Sequence, residues 1–394
     1  MKRASFAARL VALLVAGSPL ALSAAARADE LVVRGNYYRD RNTRVIQPEA
    51  VLSKEAPHGW IVGGHYLLDT ITSASLAAGV LRDQPFTELR NEAGFSLAKR
   101  LGPAIVGGSY SYSQESDYRA QFATLSAAVE LFQKNTLIGG SVSYGHDNVY
   151  QRMGPATFIP VGALDHVHVI AQWSQVLAPT VLFNLSYDLG VVGFGSADNG
   201  FQANPYRPAS VGGMPAREAV PFQRIRNALA LSVHWIIPLH NQLVPYLAFR
   251  PSYRFYWDDW GLQSHTPELR TYLPIGPVEL RFTGRYYSQG HVSFWNEVDG
   301  KPAYPSNQGL QCTTCLLGSS QRNLFVTGDP KLGAYDDYYF DVRVLIKFGF
   351  IRRLWPWASE GWVELNYGHL FQTRYAQTAF GDADLAGLQF TFPL

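Results

Sequence analysis

Asp384-Leu385-Ala386-Gly387-Leu388-Gln389-Phe390-Thr391-Phe392-Pro393-Leu394 closes the chain, and its reading decides the fold. Leu388, Phe390, Phe392 and Leu394 share one side of an extended strand, while Gln389 and Thr391 occupy the other. A period of two marks a strand with one apolar and one polar face. Chain ends ordinarily fray, so a fully apolar terminal face needs something to cover it. In a closed membrane barrel the last strand pairs with the first and turns that face to lipid.

The segment resembles the C-terminal assembly signal of bacterial outer-membrane barrels through Gly387, Phe390 and Phe392. It departs from that signal in ending Phe392-Pro393-Leu394 and in carrying Leu385 where a polar residue is usual. The resemblance implies delivery to the barrel-assembly machinery and outer-membrane lipid as surroundings.

Lys2, Arg3 and Arg9 precede an apolar run from Leu10 to Leu22, and Ala26-Arg27-Ala28 supplies small residues where a signal peptidase reads. A helical anchor needs about 20 apolar residues, more than this run provides. The expected organisation is therefore a removed secretory signal over residues 1–28 and a barrel over 29–394. Four of the 33 basic residues lie in that leader with no acid. Against 31 acids the remaining chain is slightly negative rather than +2, so charge gives no support for nucleic-acid binding.

Alternation places sixteen strands in the first approximation. They lie at 31–40, 44–53, 59–70, 89–100, 104–113, 118–131, 136–144 and 165–175. The second half contributes 180–188, 223–236, 243–256, 266–273, 278–287, 337–348, 360–371 and 384–394. In 337–348, Phe340, Val342, Val344, Ile346 and Phe348 oppose Asp341, Arg343 and Lys347. In 223–236, Ile225, Leu229, Leu231, Val233 and Trp235 oppose Arg224, Arg226, Ser232 and His234. Tyr110, Tyr112, Trp173, Tyr187, Trp235, Tyr253 and Phe255 gather toward strand ends, as interfacial girdles require.

Connections after even strands are compact: Leu101-Gly102-Pro103, Gln133-Lys134-Asn135, Leu177-Ala178-Pro179, Pro238-Leu239-His240-Asn241 and Pro274-Ile275-Gly276-Pro277. Those after odd strands are long, at 71–88, 145–164, 189–222 and 288–335. Short Gln114-Glu115-Ser116 and longish 350–359 break the rule. The expected fold is an all-β transmembrane antiparallel up-and-down barrel of about sixteen strands with long extracellular loops. Pro48 sits mid-strand and cannot donate to a ladder, which leaves fourteen strands as the alternative.

Tyr37-Tyr38, the run 45–51 with Pro48, and 65–75 with Asp69-Thr70-Ile71-Thr72-Ser73-Ala74-Ser75 resemble an uncharacterised family of outer-membrane barrels defined only as a domain of unknown function. The family pattern is similar to Asp-x-Ile-Ser-Gly-Ala-Ser, from which Thr72 and Ser73 depart. The resemblance implies an outer-membrane barrel and brings no substrate.

The polar face of strands ten to fourteen carries Arg224, Arg226, Arg250, Arg254, Arg270, Arg281, Arg285, Arg343 and Lys347, against Glu268, Glu279, Asp341 and Glu364. Beside a water-filled pore such a wall favours anionic solutes. The same residues also serve as ion-paired crosslinks, and that reading has the broader claim because every barrel needs a polar lumen. Cys312 and Cys315, separated by two residues in the longest loop, read as a local disulfide in an oxidising compartment. They lack the context of a redox site or the further ligands of a zinc site.

His166-Val167-His168 puts two imidazoles on one strand face, but with no third ligand nearby they read as polar lumen or rim residues, and no metal is expected. Asp69, at an expected strand–loop junction, reads as a cap of the loop backbone before it reads as a cation ligand. Ser143 with His146 has no catalytic spacing, and Gly193-Phe194-Gly195 lacks the strand–helix context of a phosphate cradle.

The expected function is a porin-like outer-membrane channel for small solutes with some anion preference, without cofactor or catalysis. The alternative is a non-transporting barrel that scaffolds a periplasmic or surface partner, such as a redox lipoprotein. A membrane-embedded hydrolase stands third.

Overall fold

The computed structural model describes residues 29–41, 43–73, 86–152, 157–195, 208–211, 214–217, 220–221, 223–295, 297–298, 301–302, 330–351, 360–373 and 381–394. The proposed leader and the Cys312/Cys315 pair lie outside them. Sixteen strands close into one antiparallel barrel. The first nine are β1 (Glu30–Arg39), β2 (Thr43–Ala56), β3 (Trp60–Ser73), β4 (Phe86–Leu101), β5 (Ala104–Gln114), β6 (Tyr118–Leu131), β7 (Thr136–Arg152), β8 (Phe158–Ala178) and β9 (Val181–Gly195). β10 (Pro208–Val211) and β11 (Met214–Arg217) form a two-stranded sheet of their own. The wall continues through β12 (Gln223–Pro238), β13 (Tyr246–Asp258), β14 (Gln263–Ile275) and β15 (Val278–Gln289). A second two-stranded sheet, β16 (Glu297–Val298) and β17 (Lys301–Pro302), precedes β18 (Tyr335–Lys347), β19 (Trp362–Gln372) and β20 (Ala383–Pro393).

Closure rests on the C-terminal stretch. β20 pairs with β1 through ten residues, from Glu30 opposite Pro393 to Arg39 opposite Asp384. Phe390 and Phe392 stack on the outer side, ring centroids 6.4 Å apart, and Thr391 between them is fully buried on the inner side. Gly387 faces inward, where a Cβ would stand 2.3 Å from Asn366 Oδ1 and 3.4 Å from Asn36 Oδ1. A side chain there would displace the amides that meet across the seam.

Pro48 does not break β2. The ladder to β3 lapses at Gln47 and Pro48 and resumes in the same register, from Ile46 opposite Thr70 to Glu49 opposite Leu67. Pro251 leaves the same two-residue lapse toward β12, and Pro267 toward β15. Each proline has a neighbour on its other side, so one missing donor costs one rung and not a strand. Sixteen strands stand, and the fourteen-strand alternative falls.

Several strands outrun the lengths read from alternation. β7 continues to Arg152 and β8 begins at Phe158, so most of the expected 145–164 loop is a hairpin. β9 likewise extends to Gly195, and β13 and β14 meet in a tight turn at 259–262. Apolar alternation stops where a strand leaves hydrocarbon, but backbone pairing does not.

The outer face carries a ring that alternation alone did not show. On seven of the eight strands that run away from the termini, an outward tyrosine bonds a polar side chain on the next strand. Tyr66 donates to Asn91, Tyr110 to Gln121, Tyr144 to Asp165, Tyr187 to Asn227, Tyr286 to Asp336 and Tyr367 to Asp384, at 2.7–3.0 Å. The Tyr253 hydroxyl lies 2.5 Å from His265 Nδ1. Tyrosine keeps an apolar ring toward the acyl chains and a satisfied hydroxyl at the polar boundary.

Val342 is 46% exposed on the outer face, and Ser252 faces inward. Val342→Arg should lower barrel stability by about 2–4 kcal/mol in lipid, the expected cost of a mid-bilayer arginine. Ser252→Arg should change it little. Urea titration of the folded barrel in liposomes measures both, and equal losses would reverse the assigned faces.

Candidate functional site

The site is built from the inner faces of β12 to β19. Outward Ile225, Leu229, Leu231, Phe282, Phe340, Val342 and Leu365 are exposed, and the residues alternating with them point into the barrel. Eight of the nine basic residues expected on this wall are arginines, and the structure divides them into two groups.

Five are neutralised by carboxylates. Arg281 lies 2.6 Å from Glu279 and 2.9 Å from Glu364. Arg343 lies 2.8 Å from Asp341 and 3.1 Å from the other oxygen of Glu364. Glu364 therefore bridges two guanidiniums whose Cα atoms are register partners on β15 and β18. Arg270 sits 2.7 Å from Glu268, and Arg285 sits 3.5 Å from Asp337 beneath the Tyr339 ring. Arg224 joins Asp258 at 2.5 Å.

Arg226, Arg250 and Arg254 have no carboxylate within 4 Å among the described residues, and neither has Lys347 at the terminus end of β18. The reason is register. Arg226 lies opposite Asp258, but that carboxylate is saturated. Its Oδ2 accepts from Arg224 and from Tyr256 at 2.8 Å, and its Oδ1 accepts from the backbone N–H of Trp260 and Leu262 at 3.0 and 2.9 Å. Arg226 Nε is left buried without a partner. Arg250 lies opposite another arginine, Arg270, and Arg254 lies between Ala230 and Thr266.

Asp258 also anchors the mouth. Trp260, Leu262, Val292, Phe294, Trp295 and Leu332 form one buried apolar cluster, with Val220 and Tyr256 against it. Arg224 stacks 4.4 Å over Trp260, and Gln289 donates to the carbonyls of Lys331 and Gly333. Arg224, Tyr256 and Gln289 all belong to the inward set, so the base of the 290–334 loop folds against the lumen side of the mouth. Sequence reasoning missed this shelf. Asp258-Asp259-Trp260-Gly261 signals a turn, with Gly261 at φ +87°, but not what folds onto it.

The opposite wall differs in kind. Gly94, Ser96, Ser109, Ser111, Ser126 and Ser141 give β4 to β7 a low inner surface. Three imidazoles occupy the space over inward glycines, each beside a carboxylate. His65 covers Gly94 and lies 3.2 Å from Glu92. His166 covers Gly145, 3.3 Å from Asp147, and His168 covers Gly190, 3.6 Å from Asp188. Among the described residues no group of three or more His, Cys, Asp or Glu is arranged to hold a metal ion.

Asp69 caps no loop. It is buried within β3 and pairs with Arg90 at 3.0 Å. In the nearby β5–β6 turn, burial raises the Glu115 carboxyl above its usual range, and the Arg90 charge only partly opposes this.

Residues 161–350 match the model of a family described as "Protein of unknown function (DUF3570)". The early residues that carry the family resemblance in sequence lie before that segment. A bacterial polysaccharide outer-membrane secretin superposes with a TM-score of 0.51 at 8% identity, over 93% of this chain and 99% of that one. CdiB from Acinetobacter baumannii gives 0.51 at 9% identity, over 93% of this chain and 60% of that one. At such identity the likeness is one of fold: an outer-membrane-type barrel. No curated protein matches the sequence.

Asp258→Ala should unpair Arg224 and the turn N–H groups together, a loss on the order of 3 kcal/mol confined to the mouth. Limited proteolysis should then cut within 290–334 sooner, while cleavage of the barrel strands stays unchanged. Unaltered cleavage would remove Asp258 from its anchoring role.

Proposed function

We propose that this chain is a porin-like channel of the bacterial outer membrane that admits small solutes and prefers anions, without catalysing a reaction. The supporting observation is that Arg226, Arg250 and Arg254, on the inner wall of a sixteen-stranded barrel, have no carboxylate partner among the described residues. Barrels of this size ordinarily keep an aqueous lumen. Uncompensated guanidiniums facing that lumen attract anions, whereas paired ones contribute little net field. Arg281 and Arg343 thus act as crosslinks, and selectivity rests on the three without partners.

The same reading places the end carrying the termini in the periplasm, with the long loops outside. The Phe390/Phe392 strand is then the segment presented to the assembly machinery. The Cys312/Cys315 pair serves as a loop staple. The aromatic shelf at the mouth narrows entry, and this also suits the alternative of a closed scaffold for a partner protein. Conductance separates the two.

The folded protein in planar bilayers should carry steady current with a reversal potential on the anion side in a salt gradient. Arg250→Glu with Arg254→Glu should move that potential toward cations. A silent bilayer would favour the scaffold, and an unmoved potential would sink the assignment of these arginines.

A further inference from the structure

The unpaired arginines are not scattered. Arg226 stands level with Asp258, the last residue of β13. Arg254 lies four residues below Asp258 on that strand, and Arg250 four below Arg254. At a strand rise of about 3.3 Å per residue these are steps of roughly 13 Å. The file starts under the aromatic shelf and descends toward mid-barrel. To one side, β14, β15 and β18 are neutralised by Glu268, Glu279, Asp337, Asp341 and Glu364. Among the described residues of this wall, the open positive potential near the mouth and mid-barrel therefore runs in a single file about one strand pair wide, with Lys347 apart from it at the terminus end of β18.

The floor between the steps is low and hydroxylated. Ala230 and Thr266 flank Arg254, and Ser232 lies opposite Ser252 halfway between Arg254 and Arg250. Tyr256, level with Ala228, carries Arg254 5.6 Å from its ring just below the shelf.

We propose that this file is a binding track for an extended acidic oligosaccharide, a saccharide chain with a carboxylate on each ring. The proposal deepens the anion-channel reading and rests on it. The spacing separates a chain from a single ion. Neighbouring steps lie beyond the Debye length of about 8 Å at physiological salt, so a small anion feels one arginine at a time. A chain charged along its length engages several at once, and its later contacts form at high effective concentration. Guanidinium planes suit carboxylates, and the serine, threonine and tyrosine surface between them suits ring hydroxyls. Between Arg254 and Arg250 the floor carries only the small Ser232 and Ser252, and Tyr256 stands in the upper interval between Arg226 and Arg254.

The test compares hexagalacturonate, monomeric galacturonate, neutral maltohexaose and a linear polyphosphate of matched charge, each added to the folded protein. Binding is read by calorimetry in detergent and block by the current in planar bilayers. Hexagalacturonate should act at a concentration about tenfold or more below the monomer, as simultaneous engagement requires. Maltohexaose should be inert and polyphosphate weaker. Arg250→Gln with Arg254→Gln should remove the length advantage while the barrel keeps its heat-modifiable mobility on gels. Equal action of monomer and hexamer would overturn the track. Polyphosphate matching hexagalacturonate would show a reader of charge alone and overturn the saccharide class. Calorimetry needs no current, so a silent bilayer with length-dependent binding rejects the channel and not the track. Anion-biased current without length dependence rejects the track and not the channel.

Discussion

The pairing of β20 with β1 is the constraint from which the rest follows. In hydrocarbon an unpaired backbone N–H or C=O costs several kcal/mol, so a spanning sheet must have no edge. Ten residue pairs between Glu30–Arg39 and 384–393 remove the last edge. Every other strand then has two neighbours. That is why three mid-strand prolines are tolerated, each at a two-residue lapse with the register kept across it.

Closure also fixes which side chains meet water. Alternation sends one residue of each pair to lipid, so every charge on a spanning strand must enter the lumen or sit near an interface. Outside, the tyrosine ring from Tyr66 to Tyr367 marks one interface with satisfied hydroxyls. Inside, charge is not spread evenly. Carboxylates neutralise the wall from β14 to β19, and an opposite wall of glycine and serine leaves room. Between these regions the β12–β13 pair keeps three arginines without counter-charges among the described residues, beneath an aromatic shelf that Asp258 pins in place. Selectivity in this architecture depends less on how many arginines the wall holds than on which of them no acid reaches.

The fold class, nearly every turn at the terminus end and the basic face of the second half were legible in the residues alone. Those features are local: a period of two, a proline–glycine turn and an alternating charge can each be read within a dozen residues. The sequence also supplied the closing strand, because Phe390 and Phe392 over Gln389 and Thr391 make sense only against lipid. It could not give the full length of β7 and β8. Past Tyr144 the alternation breaks at Gly145-His146-Asp147-Asn148, polar on both faces, while the hydrogen bonds of the hairpin continue.

Which charges are left without a partner among the described residues depends on strand neighbours far apart in the chain. Glu364 reaches Arg281 across 83 positions and Arg343 across 21, through the registers of three neighbouring strands. Asp258 lies opposite Arg226 yet is saturated by Arg224, Tyr256 and its own turn, a competition among groups that no local pattern encodes. The shelf of Trp260, Phe294 and Leu332 likewise joins segments far apart in the chain. Strand register is set by the closure of the whole cylinder. A basic face was therefore legible in the residues, but the unpaired file within it exists only once sixteen strands have found their neighbours.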